Sequence, residues 1–225
     1  MASTKPVIIL VHGFWGGAAH WGNVITALTA KGYTLDDLHA IDVPLTSLSD
    51  DAGRITKAID QASKGGRPVL LAGNHAAVKG IVYIAAFAPD AGESPGGITQ
   101  ENPPAAAANL APDSDGFLWV VPDKYHTSFC QDLDARDATV MGVTQKAPLA
   151  STFGNTVSDP AWRHKPTWYQ VSADDRMIHP DNERRMAKRM NPRKTIELAA
   201  SHASLASQPD AVAALIDEAA KSLAA

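Results

Sequence analysis

Pro68-Val69-Leu70-Leu71-Ala72-Gly73-Asn74-His75-Ala76-Ala77-Val78-Lys79-Gly80-Ile81-Val82-Tyr83-Ile84-Ala85-Ala86 decides the fold and poses its main difficulty. The apolar runs 68–73 and 81–86 read as two buried strands, joined by the seven residues 74–80. A return between parallel strands usually needs roughly a dozen residues or more, most often through a helix. Seven residues reach at most roughly 25 Å when extended. A five-residue strand is itself roughly 17 Å long, so a parallel return is barely possible and leaves no crossover helix. Three arrangements remain open. Gly73-Asn74 can start a tight hairpin that makes 81–86 antiparallel. The short hinge can exchange a strand between two chains, giving a swapped homodimer. Or the chain has been shortened here by deletion.

Outward from this join, strands and helices alternate, which predicts an α/β fold with a mostly parallel sheet flanked by helices. Val7–Val11 is a continuous aliphatic run suited to a strand buried on both faces. Trp21, Val24, Ile25 and Leu28 follow at helical spacing and stop near Gly32. Residues 39–43 predict a second strand, ended by Pro44. Ser49 is the expected N-cap of the next helix, with Asp50 and Asp51 in its first turn and Ile55, Ile59 and Ala62 as its buried stripe. Alternation resumes with strands at 167–171 and 195–198, a helix over 182–190 between them, and a last helix over 209–223. Between these halves, residues 89–160 are too long for a loop and predict an inserted helical cap. The expected division is therefore a core of 1–88 and 161–225 with a cap of 89–160.

The 225 residues suit one domain with a modest insertion. A net charge of −4 offers no basic field, which argues against nucleic acid or an anionic membrane surface as partner. The lone Cys130 forms no internal disulfide. The N-terminal apolar run is too short for a signal segment or a membrane span, so the expected location is cytoplasmic.

Three loops carry chemistry. His12-Gly13-Phe14-Trp15-Gly16-Gly17 directly follows the first strand. Its glycines allow a sharp turn with amides free to face a ligand, as an oxyanion site requires. A plain glycine-rich connection would look the same. Asp174-Asp175-Arg176 follows the strand at 167–171, and Ser201-His202-Ala203-Ser204 follows the strand at 195–198. In an open parallel sheet such loops gather at one rim. Acid then histidine, after successive strands, is the chain order of the last two members of a hydrolase triad. Asp175 would orient the imidazole and His202 would move the proton.

These pieces resemble the small bacterial esterases related to plant hydroxynitrile lyases and methylesterases, within the α/β-hydrolase superfamily. The resemblance rests on Val11-His12-Gly13-Phe14-Trp15, Gly80-Ile81-Val82-Tyr83-Ile84-Ala85-Ala86-Phe87-Ala88-Pro89, Pro166-Thr167-Trp168-Tyr169, Asp175-Arg176-Met177-Ile178 and Ser201-His202-Ala203. It implies the α/β-hydrolase fold, hydrolysis of carboxylic esters with no cofactor and no metal, and Asp175 and His202 as triad members. It also implies an oxyanion and substrate loop at Gly13, Phe14 and Trp15. One departure is large: such proteins carry a serine elbow and a helix after the strand matching 69–73, and here Gly73 runs into Asn74-His75. The serine, its following amide and most of one helix are missing as one block.

Ser94, Ser201, Ser204, Cys130 and His75 are the remaining nucleophile candidates, and none stands on the expected strand-to-helix elbow. The eight histidines show no metal-binding spacing. Trp119, Phe129 and Trp162 are expected to shape an apolar pocket under the cap, while His126 suits an exposed helix position. The expectation is an ester hydrolase with a dyad, an oxyanion loop and little turnover, its partner a small ester or apolar ligand. A non-catalytic binder of small ligands and a hydroxynitrile-lyase-type carbon–carbon lyase are the alternatives.

Overall fold

The computed structural model describes residues 5–71 and 77–224. Among these, the chain runs β1 (Val7–Val11), α1 (Gly22–Ala30), β2 (Leu38–Ile41), α2 (Leu48–Ala62), β3 (Val69–Leu70) and β4 (Val78–Ile84). The insertion follows, with α3 (Pro95–Glu101), β5 (Leu110–Pro112), β6 (Leu118–Val120), α4 (Tyr125–Phe129) and α5 (Ala135–Val143). It closes with β7 (Thr167–Ser172), α6 (Pro180–Met190), β8 (Lys194–Leu198), α7 (Ser204–Ser207) and α8 (Pro209–Ala224).

Six strands form one sheet in the order β2-β1-β3-β4-β7-β8, and every neighbouring pair is parallel. Side chains alternate across it as strand geometry demands. Ile8, Leu10, Leu70 and Trp168 pack with α1 and α8 on one face. Val7, Ile9, Val69 and Val78 pack with Ile55 and Ile59 of α2 on the other, and Tyr169 and Val171 meet Met186 and Ala187 of α6. Chain order reverses beside β1, so the loop after β1 opens at a switch point where open α/β sheets bind ligands.

β3 pairs over two residues only, with Val69 beside Val78 and Leu70 beside Gly80. Val78, Lys79 and Gly80, expected within the join, already belong to β4. The return distance is therefore far smaller than a five-residue strand would impose. β4 is parallel, which excludes the antiparallel hairpin expected as one arrangement. The proposed hairpin residues Gly73 and Asn74, the end of the expected strand at Ala72, and His75 lie outside the described residues. No helix stands between β3 and β4 among the described residues.

Two local expectations are corrected. The N-cap of α2 is Ser47, whose Oγ accepts from the Asp50 amide at 3.0 Å, while Ser49 is inside the helix. Such a cap is worth about 1 kcal/mol. The insertion is not purely helical: β5 and β6 form a two-stranded antiparallel sheet, and Ala105–Asn109 is a short 3-10 turn.

Candidate active site

Asp175 sits in the turn after β7 and is almost fully buried. Its Oδ1 accepts from the amides of Met177 at 2.6 Å and Ile178 at 2.9 Å, a local geometry in which a carboxylate stabilises its own turn. Its Oδ2 accepts from His202 Nδ1 at 2.6 Å. The two expected residues are thus brought together, 27 positions apart in the chain. A carboxylate only accepts, so the proton is on Nδ1 and Nε2 carries the free lone pair. Among the described residues Nε2 has no hydrogen-bond partner, and the imidazole lines a cavity of about 370 Å³. Phe129 meets the ring edge-on at 4.9 Å between centroids, which fixes its tilt.

The cap holds both loops in place. Gln131 donates to the Asp174 carbonyl at 2.7 Å, and Arg176 donates to the Thr127 carbonyl at 2.7 Å. The Ser201 amide donates to Asp132 Oδ2 at 2.9 Å, and the Ala203 amide to the Phe129 carbonyl at 3.2 Å. Dyad geometry therefore depends on the insertion as much as on the sheet.

Gly13, Phe14 and Trp15 all line the same cavity. The Phe14 amide has no acceptor among the described residues, whereas the Trp15 amide donates to the Lys146 carbonyl at 2.9 Å. The Trp15 indole donates to the Leu118 carbonyl at 2.6 Å, and its carbonyl accepts from Tyr125 Oη at 3.0 Å. Trp15 thus pins the loop to the insertion, and the Gly13 and Phe14 amides are left without an acceptor among the described residues. Trp15 adopts φ 58° and Ala85, at the end of β4, adopts φ 42°; both line the cavity. Two residues held in the left-handed region at one cavity mark strain concentrated at the site.

His12 is a structural element of this loop. Its Nδ1 pairs with the Gly13 carbonyl at 2.8 Å and its Nε2 accepts from the Val43 amide at 3.1 Å. That pattern requires the neutral ring, and burial lowers its pKa accordingly. His20, also in the cavity wall, is pushed down to about 4 by burial. Thr144 Oγ1 donates to the Val140 carbonyl, so His20 Nε2, 3.2 Å away, is the donor of that pair.

The remainder of the wall is apolar. Val82, Ile84, Trp21 and Leu205 line it from the α1–α8 side of the sheet. Val82 and Ile84 are only half-buried there, with no helix between β3 and β4 among the described residues to cover them. Of the three aromatic side chains expected to shape the pocket, only Phe129 lines it. Trp119 instead donates to Asp113 Oδ2 at 2.8 Å, and Trp162 donates to the Pro89 carbonyl at 2.9 Å. His126 faces the Leu133 carbonyl, away from the cavity.

No serine, threonine or cysteine among the described residues is hydrogen-bonded to His202 Nε2. Ser201 and Ser204 are fully buried; Ser201 Oγ accepts from the Ala203 amide and Ser204 Oγ donates to Gln170 Oε1. Cys130 is buried, with its thiol pushed up to about 12. Ser94 sits in Gly92-Glu93-Ser94-Pro95-Gly96, which spells a serine-elbow pattern letter for letter. Its context is wrong: it follows a loop and N-caps α3, its Oγ accepting from the Gly97 amide at 3.1 Å. Residues 72–76, whose sequence is Ala-Gly-Asn-His-Ala, contain no hydroxyl or thiol. Among the described residues no group of three or more histidine, cysteine or carboxylate side chains is placed to hold a metal ion. None of the helices there is long and apolar enough to cross a membrane.

The chain belongs to the alpha/beta hydrolase family, which it matches over residues 8–215. Comparison with curated proteins gives no match. Among solved structures it is similar to a pyrethroid hydrolase from Sphingobium faniae JZ-2, with 20% identity, TM-score 0.74 and coverage of 96% of this chain and 97% of that one. It is also similar to polyneuridine aldehyde esterase, at 15% identity and TM-score 0.79 over 96% and 99% of the two chains. Tomato methylketone synthase I, solved with 2-tridecanone, gives 12% identity and TM-score 0.79 over 97% and 99%. At these identities the likeness shows the shared fold.

Proposed function

We propose that the chain is a carboxylic-ester hydrolase in which the His202–Asp175 dyad moves the proton, and which works without an acyl-enzyme. The observation that carries this reading is the 2.6 Å bond from His202 Nδ1 to Asp175 Oδ2, with Nε2 left free at an apolar cavity. A water beside Nε2 gives up a proton to the imidazole as its oxygen adds to the ester carbonyl. The Phe14 amide, an uncommitted donor in the cavity wall, receives the developing oxyanion. Collapse of the tetrahedral intermediate breaks the carbon–oxygen bond, and His202 returns its proton to the leaving alkoxide. Turnover is slow, because no serine among the described residues is placed against His202 Nε2.

p-Nitrophenyl acetate hydrolysis tests this. The chain should hydrolyse it slowly and lose that activity in His202→Ala, and insertion of a serine-elbow and helix segment after Gly73 should raise the rate. Fast hydrolysis by the chain as it stands, or hydrolysis indifferent to His202, would refute it. The second reading, a binder of small apolar ligands, is favoured by the apolar cavity wall. It predicts ligand affinity with no His202-dependent turnover.

A further inference from the structure

Behind Asp175 lies a second carboxyl that the reaction above does not use. Glu183, in the first turn of α6, is completely buried, and its side chain lies within hydrogen-bonding reach of the Asp175 carboxyl. Its Oε2 accepts from the Ser172 amide at 2.9 Å, while Oε1 has no donor at all. Among the described residues no cation pairs with it. The neighbouring Arg184 turns outward to Asp181 and Glu197 at 2.8 and 2.7 Å. From β7, the Tyr169 hydroxyl is spent on the Ala86 carbonyl and Gln170 on Ser172 and Ser204. Asp175 is the charged group facing Glu183, with His202 on its far side.

Two adjacent buried carboxylates without a cation cannot both stay ionised; one retains a proton. Asp175 is the one fixed as an anion, because two amides and the imidazole N–H all donate to it. Glu183 has one donor and an oxygen with nothing to accept, which is the arrangement of a protonated carboxyl. We propose that Glu183 is a positioning residue held as a neutral carboxylic acid that donates its proton to Asp175, so that the row Glu183, Asp175, His202 carries one negative charge instead of two. Burial and the Asp175 charge both push its pKa well above the ordinary range, in keeping with that assignment. Shared with Glu183, the Asp175 charge is held in place from behind and attracts the imidazole less strongly. The inference needs the Asp175–His202 pair and not the ester-hydrolysis reading, so an inactive chain would still show it.

NMR of the full chain, with glutamate labelled at the side-chain carboxyl carbon, tests the assignment. The Glu183 resonance, identified by its loss in Glu183→Gln, should stay at the protonated-acid position near neutral pH. The hydrogen-bonded Nδ1 proton of His202 should keep its downfield position in Glu183→Gln, whose amide still donates to Asp175. It should move in Glu183→Leu, which has no donor; a side chain that merely filled space would leave it unmoved. A carboxylate resonance for Glu183 at neutral pH, or an unmoved proton in Glu183→Leu, overturns the proposal. Where a variant does not fold, the glutamate resonance still unassigned in the wild type is identified through Ser172, whose amide it contacts, and decides alone.

Discussion

His202 Nδ1 donates to Asp175 Oδ2 at 2.6 Å, although the two residues leave different strands and meet only at the rim of the sheet. The bond sets the tautomer, and the tautomer leaves Nε2 as a base facing the cavity. Both partners are held from the insertion by Thr127, Gln131, Asp132 and Phe129.

Removing either partner should therefore act on rate, not on substrate binding. Asp175→Asn should lower the rate constant for p-nitrophenyl acetate by roughly 10²–10⁴ by favouring the wrong tautomer, with KM little changed. Steady-state kinetics on folded protein, verified by circular dichroism, measures this.

Glu183 should give the protein an unusual pH slope. Its folded-state pKa lies above the ordinary 4.5, so the native state keeps a proton that the unfolded chain loses. Stability from this group is full below about pH 4.5 and falls as pH rises, by at most about 1.4 kcal/mol per pH unit. Glu183→Gln removes the slope, so its stability relative to wild type should increase steadily from mildly acidic to neutral pH. Urea unfolding at several pH values checks it.

His20 works in the opposite sense. Its pKa falls from 6.5 to about 4 on folding, so the unfolded chain binds the extra proton. Stability from this group is full above about pH 6.5 and is lost as pH falls toward 4, again by at most about 1.4 kcal/mol per pH unit. His20→Gln, which can still donate to Thr144, should flatten the acid limb in that window.

Gly80 lets β4 lie close under α8. A Cβ there would stand 2.9 Å from the Trp168 ring, which is buried and cannot yield, and 2.9 Å from a Leu223 methyl. Gly80→Ala should cost about 1–3 kcal/mol in urea unfolding.

Much of this architecture is legible in the chain. The alternation of elements and the order acid then histidine depend on local periodicity and on which loops share a rim, and both are visible in sequence. The β3–β4 join is harder to read, because β3 pairs over two residues where its apolar run suggests five, and pairing length is a tertiary property. Trp119 and Trp162 were assigned to the pocket by residue type, yet Asp113 and the Pro89 carbonyl draw them elsewhere. Ser47, not Ser49, takes the cap; two serines, two residues apart, precede the same acids, and sequence does not separate them. Glu183 did leave a signal. It shares the stripe of Met186, Ala187 and Met190 at helical spacing, and a carboxylate on an apolar stripe is a buried carboxylate.

Pre-steady-state release of p-nitrophenol from p-nitrophenyl acetate, wild type against His202→Ala, tests the central claim most directly. Water-mediated catalysis by the dyad predicts linear release with no burst, reduced to background in His202→Ala. A burst equal to the enzyme concentration would reveal an acyl-enzyme, and an unchanged rate in His202→Ala would remove the dyad from the chemistry; either contradicts the account.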